Sequence, residues 1–375
     1  MRGDDRNYCY VKVETDSGLA GWGESSCGSL SVIKMVEELG SMLLGEDPAC
    51  IERHWQRLYH CHHNIRGGII HMAALSGIDI ALWDLKGKAL GVPVYELLGG
   101  KTRDRLWSYG RFDGATPAKA VEHALRETTR GLTALKGDPF MSHGPDHTNE
   151  AIRDAVAIVA AVRNAVGPDV ELLIEAHGRL NVDSASRFLG QVASQRPYLI
   201  EEPLPPEDIE GLAVLRGRTD VQIAAGERML GKWAFATLLE RRLIDIAQPD
   251  PAHAGGITET RKIAALAETH HIAVQPHNPY GPINTLAAAH LNAALPNFLI
   301  MELLMEPGLH DWFDKVVGAE FPRVTEGYFP VPSAPGLGFD IDEAALLDHP
   351  PRPESFPSSY LRRARLGAPQ LTTWR

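Results

Sequence analysis

"ELLIEAH", residues 171–177, begins as a buried strand and ends as something else. Leu172, Leu173 and Ile174 suit an apolar interior. Glu175 and His177 follow at once, two residues apart, so an extended backbone sends both side chains to one side. The stretch is one of eight apolar runs of strand length: "LWSYG" from Leu106, "LTALKGD" from Leu132, ELLIEAH itself, "YLIEEP" from Tyr198, "VQIAAGE" from Val221, "IDIAQPD" from Ile244, "IAVQPHN" from Ile272 and "FLIMEL" from Phe298. Apolar positions at helical spacing fill the intervals, as over 150–166, 183–195, 233–241 and 257–270. Eight strands joined by helical crossovers predict a parallel α/β barrel.

The chain ahead of the barrel reads differently. Residues 8–24, "YCYVKVETDSGLAGWGE", alternate around a "DSG" turn as an antiparallel hairpin, and helical spacing follows over 31–44, 51–61 and 69–90. The expected division is an α+β region over 1–104, the barrel over 105–318, and a Pro- and Gly-rich segment over 319–375 that returns to the first region.

Composition sets outer limits. The 375 residues are 44% hydrophobic, enough for a barrel of about 250 residues and a smaller domain. A formal net charge of −11 gives no general attraction for nucleic acid or anionic membrane, so an anionic ligand needs local cations or a metal. Cys9, Cys27, Cys50 and Cys61 form no CxxC pair, a usage that suits a reducing compartment. "MRGDDRNYCY" has no apolar h-region, and no apolar run reaches about 18 residues. A soluble, cytoplasmic protein is expected.

What ends each strand carries the chemistry. Lys136, Glu175 with His177, Glu201, Glu227, Asp250, His277 and Glu302 stand at or just past the strand ends, and from Glu175 onward the acidic and His277 positions recur every 23 to 27 residues. Barrel active sites lie at the C-terminal ends of the strands, so groups spaced this way converge although far apart in sequence. Glu is a poor helix N-cap, which argues against a mere turn role for three successive glutamates. Three neighbouring carboxylates repel unless a hard cation sits among them. Glu175, Glu201 and Glu227 are therefore predicted to hold Mg²⁺, and zinc is disfavoured because these positions offer oxygen alone. Such a metal, together with Lys136, suits proton abstraction beside a carboxylate. His277 is the predicted base, with Asp250 bonding its far nitrogen.

A competing motif is "HCHH", residues 60–63, whose H-x-H pair occurs in zinc-dependent amidohydrolase barrels on the first strand. Here "RHWQRLYH" before it reads as a helix and the barrel strands begin about 45 residues later, so His60 and His62 are read as a polar loop of the first domain. His143 and His147 in "MSHGPDHTNE" are read as loop residues after the second strand.

"ALSGIDIALWDLKGKALGVPVYELLGG", residues 74–100, resembles the sequence motif of the mandelate racemase and muconate lactonizing enzymes of the enolase superfamily. "IEEP", "AAGE", "QPD" with "GGIT", and "QPHN" match that family's barrel motifs in order. The resemblance implies a modified (β/α)7β TIM-like barrel under a capping domain made from both chain ends, with Mg²⁺ on Glu175, Glu201 and Glu227. A Lys or His base working with one or two Mg²⁺ ions is the superfamily's general pattern. Many relatives carry K-x-K on the second strand, whereas "LKGDPF" has Lys136 first and Asp138 second. The third strand instead offers His177 in an acid-x-H-G-R arrangement similar to the acid-sugar dehydratases acting on galactonate, gluconate and relatives. That likeness implies His177 as proton donor to a departing 3-hydroxyl, and contact with the substrate from Lys136, Asp138, Arg179, His277 and Glu302. Capping segments near Trp22, Gly23, Glu24 and Arg66 are expected to meet the substrate, and a homo-oligomer is expected by analogy. The family more often has Asp where Glu175 stands. Two alternatives share the site: a hydroxy-acid racemase or epimerase using His177 and His277 as opposed bases, and a non-catalytic paralogue.

Overall fold

The computed structural model describes residues 7–27, 29–141, 148–303 and 312–351. His143 and His147 lie outside these. The hairpin pairs β1 (Cys9–Glu14) with β2 (Ala20–Ser25), antiparallel, with Cys9 opposite Ser25 and Glu14 opposite Ala20. Three helices follow, α1 (Leu30–Ser41), α2 (Ile51–His60) and α3 (Ile69–Leu90), then the short α4 (Val94–Leu97). Helix α3 buries residues on every side, as a helix without a polar face must. It lies between the hairpin and the barrel and packs against β2 so closely that a Cβ on Gly23 would fall 1.9 Å from the Gly77 carbonyl oxygen. The glycines of "GWG" are thus there to let two backbones touch.

Two short strands follow, β3 (Arg105–Trp107) and β4 (Gly110–Arg111), of which β4 opens the barrel. Then come α5 (Pro117–Thr129), β5 (Ala134–Gly137), α6 (Asn149–Val166), β6 (Glu171–Glu175), α7 (Val182–Val192), β7 (Leu199–Glu201) and α8 (Ile209–Arg216). The series ends with β8 (Gln222–Ala225), α9 (Gly231–Glu240), β9 (Ile246–Ala247), α10 (Gly256–Thr269), β10 (Ala273–Val274) and α11 (Pro282–Ala294). Strands β4 to β10 form one parallel sheet in chain order. Residues 298–301 close the ring through parallel bridges, Phe298 to Val274 on one side and Met301 to Ser108 on the other. The "LWSYG" run therefore divides: Gly110 and Arg111 join the parallel sheet, whereas β3 pairs antiparallel with β11 (Tyr328–Pro330). "FLIMEL" spans the closure with bridges and no longer ladder.

Inside the ring, Tyr109, Ala134, Leu173, Leu199, Ala224, Ile246 and Ile300 pack together, side chains from successive strands forming a filled interior. A larger cluster seals the helices onto the strands, including Phe188, Ile200, Ile223, Phe235, Ile263 and Val274. Past α12 (Trp312–Val317) and β11, the chain crosses back to the capping side: Leu337 N–H donates to Asp84, Lys88 pairs with Asp340, and Lys12 pairs with Glu343 in α13 (Glu343–Leu347). Among the described residues no helix is long and apolar enough to cross a membrane.

Candidate active site

Parallel register puts the ends of the strands at one level. Glu175, the last residue of β6, is the direct partner of Glu201, the last of β7. Glu227 stands just past the end of β8. One carboxylate oxygen from each of the three lies within 4.8 Å of the other two, the one such group of potential metal ligands among the described residues. Glu175 and Glu201 are buried. The extra methylene of Glu175 does not carry its carboxylate out of the cluster, because Glu175 Oε1 accepts the backbone N–H of His177 at 2.7 Å and is folded back onto its own strand end.

Charge in this cluster is poorly compensated by the protein alone. Lys136, on β5 and buried, places Nζ 2.8 Å from Glu201 Oε1, 2.8 Å from Glu302 Oε1 and 3.5 Å from Glu175 Oε2. Burial opposes its charge, but Glu201 and Glu302 outweigh burial and hold the ammonium well above its ordinary range. One ammonium cannot satisfy four carboxylates. Burial and the neighbouring Glu175 push Glu201 up to about 7, the signature of carboxylates gathered without enough positive charge. An all-oxygen, largely buried, electron-rich set of this kind fits a hard divalent cation and offers no nitrogen or sulfur for a softer one.

Two imidazoles flank the cluster, each with an aspartate behind it. His277 Nδ1 lies 2.7 Å from Asp250 Oδ2, and its Nε2 is 3.3 Å from Glu227 Oε2. Burial disfavours its charge, yet Glu227 and Glu302 prevail and push His277 up to about 10. A divalent cation among the same carboxylates acts in the opposite sense and favours the neutral ring. His177 Nδ1 lies 3.0 Å from Asp138 Oδ2 and 3.8 Å from Glu175 Oε1. Here too burial is outweighed by Glu175 and Asp138, and the ring is raised. His177 sits at φ +47°, in the left-handed region, followed by Gly178 at +63°. That turn aims the histidine back over the strand end. A Cβ on Gly178 would meet the Arg228 guanidinium at 2.2 Å.

The structure thus brings Lys136, Glu175, Glu201, Glu227, His277 with Asp250, His177 with Asp138, and Glu302 to one end of the barrel. Arg179 is engaged with Asp138 and with the carbonyls of Ala176 and Phe140. His60 closes α2 and contacts Arg66, and His62 pairs with Glu38 at 2.9 Å. This is capping-domain surface, and it gives the hydrolase alternative no ligand set.

Three supporting residues escape a strand-by-strand reading. Glu202, at φ +45°, binds Arg228 and accepts the Gly226 N–H, which braces the turn carrying Glu227. The doublet "EE" beside "GER" is the signal that could have shown it. Asn278 donates its backbone N–H to Glu302 Oε2 at 3.0 Å, fixing the segment behind His277. Glu24, in the capping segment expected to lie near the substrate, is itself fully buried and caps α11 from the hairpin, accepting the N–H groups of Gly281 at 2.7 Å and Asn284 at 2.9 Å.

Comparison with known proteins agrees with this architecture. The family model "Mandelate racemase / muconate lactonizing enzyme, N-terminal domain" matches residues 3–99, and "Enolase C-terminal domain-like" matches 119–345. The chain therefore belongs to the mandelate racemase and muconate lactonizing enzyme family of the enolase superfamily. Similar curated proteins include the D-galactonate dehydratases of Ralstonia pickettii, 40% identical, and Verminephrobacter eiseniae, 39% identical, each alignment covering 91% of this chain and 90% of the relative. Similar solved structures include a mandelate racemase/muconate lactonizing enzyme from Sulfitobacter (TM-score 0.87, 33% identity, 93% of this chain and 92% of that one). Another is a member of the enolase superfamily from Salmonella Typhimurium (TM-score 0.84, 32% identity, 91% and 94%). Within the superfamily the chain is a hydro-lyase.

Proposed function

We propose that this chain is a Mg²⁺-dependent dehydratase of acid sugars of the galactonate or gluconate type, converting a 2,3-dihydroxy acid to a 2-keto-3-deoxy acid. The observation that carries the reading is the pairing of two aspartate-backed imidazoles with one tri-glutamate cluster, two of whose members are buried. The dehydratases named among the relatives support the substrate class. Glu175, Glu201 and Glu227 would hold the Mg²⁺, which supplies the positive charge that a doubly anionic enediolate requires.

The chain's own residues perform the proton transfers. His277 Nε2 removes the proton from C2, while Asp250 holds Nδ1–H and stabilises the imidazolium that forms. Lys136 contributes a buried positive charge beside the carboxylate of the substrate, and Glu302 fixes the ammonium. The electron pair of the enediolate then forms the C2–C3 double bond as the C3–O bond breaks. The departing oxygen takes a proton from His177 Nε2 and leaves as water, and the enol ketonises.

A screen of mono- and diacid sugars with Mg²⁺, read by keto acid formed, tests the proposal. A semicarbazide-reactive product from at least one sugar acid is the expected result. Solvent deuterium appearing at an inverted C2 without keto acid would establish the racemase alternative, and absence of both products would leave a non-catalytic paralogue.

A further inference from the structure

His177 has an anchoring apparatus that the other catalytic imidazole lacks. Asp138 Oδ2 takes His177 Nδ1 at 3.0 Å, Asp138 Oδ1 accepts the Phe140 N–H at 3.0 Å, and the Arg179 guanidinium closes on that same oxygen. Arg179 is itself tied to the turn, with Nε donating to the Ala176 carbonyl at 3.1 Å and Nη1 directed to that of Phe140 at 3.4 Å. Asp138 is 3% exposed and has its oxygens committed to these partners. The arginine stands two residues after the histidine, across the left-handed pair His177–Gly178, and so reaches back to the aspartate behind the ring. A residue that binds substrate must present donors towards it. Arg179 spends its donors on Asp138, on the Ala176 and Phe140 carbonyls, and towards His177 Nδ1, which its Nη2 approaches at 3.5 Å.

From this geometry we propose that Asp138 and Arg179 are a positioning pair for His177, fixing Nδ1 so that Nε2 alone serves the leaving hydroxyl, and are not substrate contacts. The inference rests on the dehydratase reading above. It assigns the pair to one half of the reaction. Breaking the C3–O bond needs the Nε2 proton of His177, whereas taking the C2 proton falls to His277 and does not use His177. Asparagine at 138 would give its oxygen to Arg179 and turn its amide towards Nδ1, removing the acceptor that a proton-donating ring requires.

The test measures two rates on the same metal-loaded enzyme, keto-acid formation and exchange of the C2 hydrogen in deuterated water. Asp138→Asn and Arg179→Ala should each lower dehydration by about 10²-fold, the scale of a general acid's contribution, with C2 exchange within about threefold of the parent. Added guanidinium should restore dehydration of Arg179→Ala several-fold and leave exchange unchanged. Parallel loss of both rates, or a raised KM at unchanged kcat, overturns the proposal in favour of a structural or substrate-binding role. If the parent protein forms neither product with any acid sugar, the functional reading is what fails. The positioning claim is then decided by a crystal structure of Asp138→Ala: a displaced or disordered His177 ring supports it, and an unmoved ring overturns it.

Discussion

The two histidine–aspartate pairs at the mouth of the barrel share a plan and differ in their surroundings. In each, an aspartate at the end of one strand holds the Nδ1 of a histidine at the end of the next, and accepts a backbone N–H two residues on, from Phe140 for Asp138 and from Ala252 for Asp250. Asp138 shares its charge with Arg179. Asp250 has no arginine among its described partners; His253 Nδ1 lies 3.6 Å from it, and the buried Glu24 carboxyl is also within its field. The side chain of His177 is 33% exposed and that of His277 is 13%. An imidazole backed by an undivided, buried carboxylate is the better proton acceptor. One whose carboxylate is shared with a guanidinium gives up its proton more readily. Similar parts can thus serve opposite steps through one added cation.

Four measurements would break or sharpen this contrast. The largest effect is expected from removing divalent metal with a chelator, which should abolish C2 exchange and dehydration together and be reversed by Mg²⁺; residual exchange in rigorously metal-free enzyme would contradict the role given to Glu175, Glu201 and Glu227. Next, His277→Asn should cost about 10³-fold in both rates, against loss of dehydration with retained exchange for His177→Asn, in line with the range for general acid–base catalysis. Equal profiles for the two variants would erase the distinction. Asp250→Asn should lower both rates by about 10²-fold through the wrong tautomer of His277, in contrast to the selective loss expected at Asp138.

The smallest effect concerns Glu24 and is read as stability. Burial raises its carboxyl from 4.5 to about 7, only partly offset by the N–H groups of Asn284 and Gly281. The folded form therefore binds this proton more tightly than the unfolded chain does. The contribution is fully present below about 4.5 and is lost as pH rises through about 7. Glu24→Gln should flatten the fall in Tm over that window, and an unchanged pH profile of Tm would show that another group sets it.

Much of this was legible in the sequence because a β/α unit has a nearly constant length. A carboxylate or imidazole recurring at that interval marks strand ends, and parallel pairing then brings Glu175 and Glu201 abreast. Strand length was less readable. "LWSYG" looks like one strand, yet its first half pairs with Tyr328–Pro330 from beyond the barrel, a partner no local pattern announces. Arg179 was given to the substrate only by the likeness of its acid-x-H-G-R run to the acid-sugar dehydratases, and the sequence did not show its partnership with Asp138. The left-handed turn at His177 and Gly178 breaks the alternation that follows Glu175, and a positive φ at a histidine has no local signature. The structural role of Glu24 was hidden for a related reason: its acceptor role is completed by N–H groups 257 and 260 residues further on.

That separation bears on how the protein is assembled. During synthesis the hairpin leaves the ribosome well before Gly281 and Asn284 exist, so its carboxylate stays hydrated until the last barrel helix arrives. Only then can Glu24 be withdrawn from water. The hairpin can pack on α3 early, but burial of the Glu24 carboxylate and completion of the segment behind His277 become a single late event, and a nascent chain interrupted before residue 284 should keep this end of the hairpin unlatched.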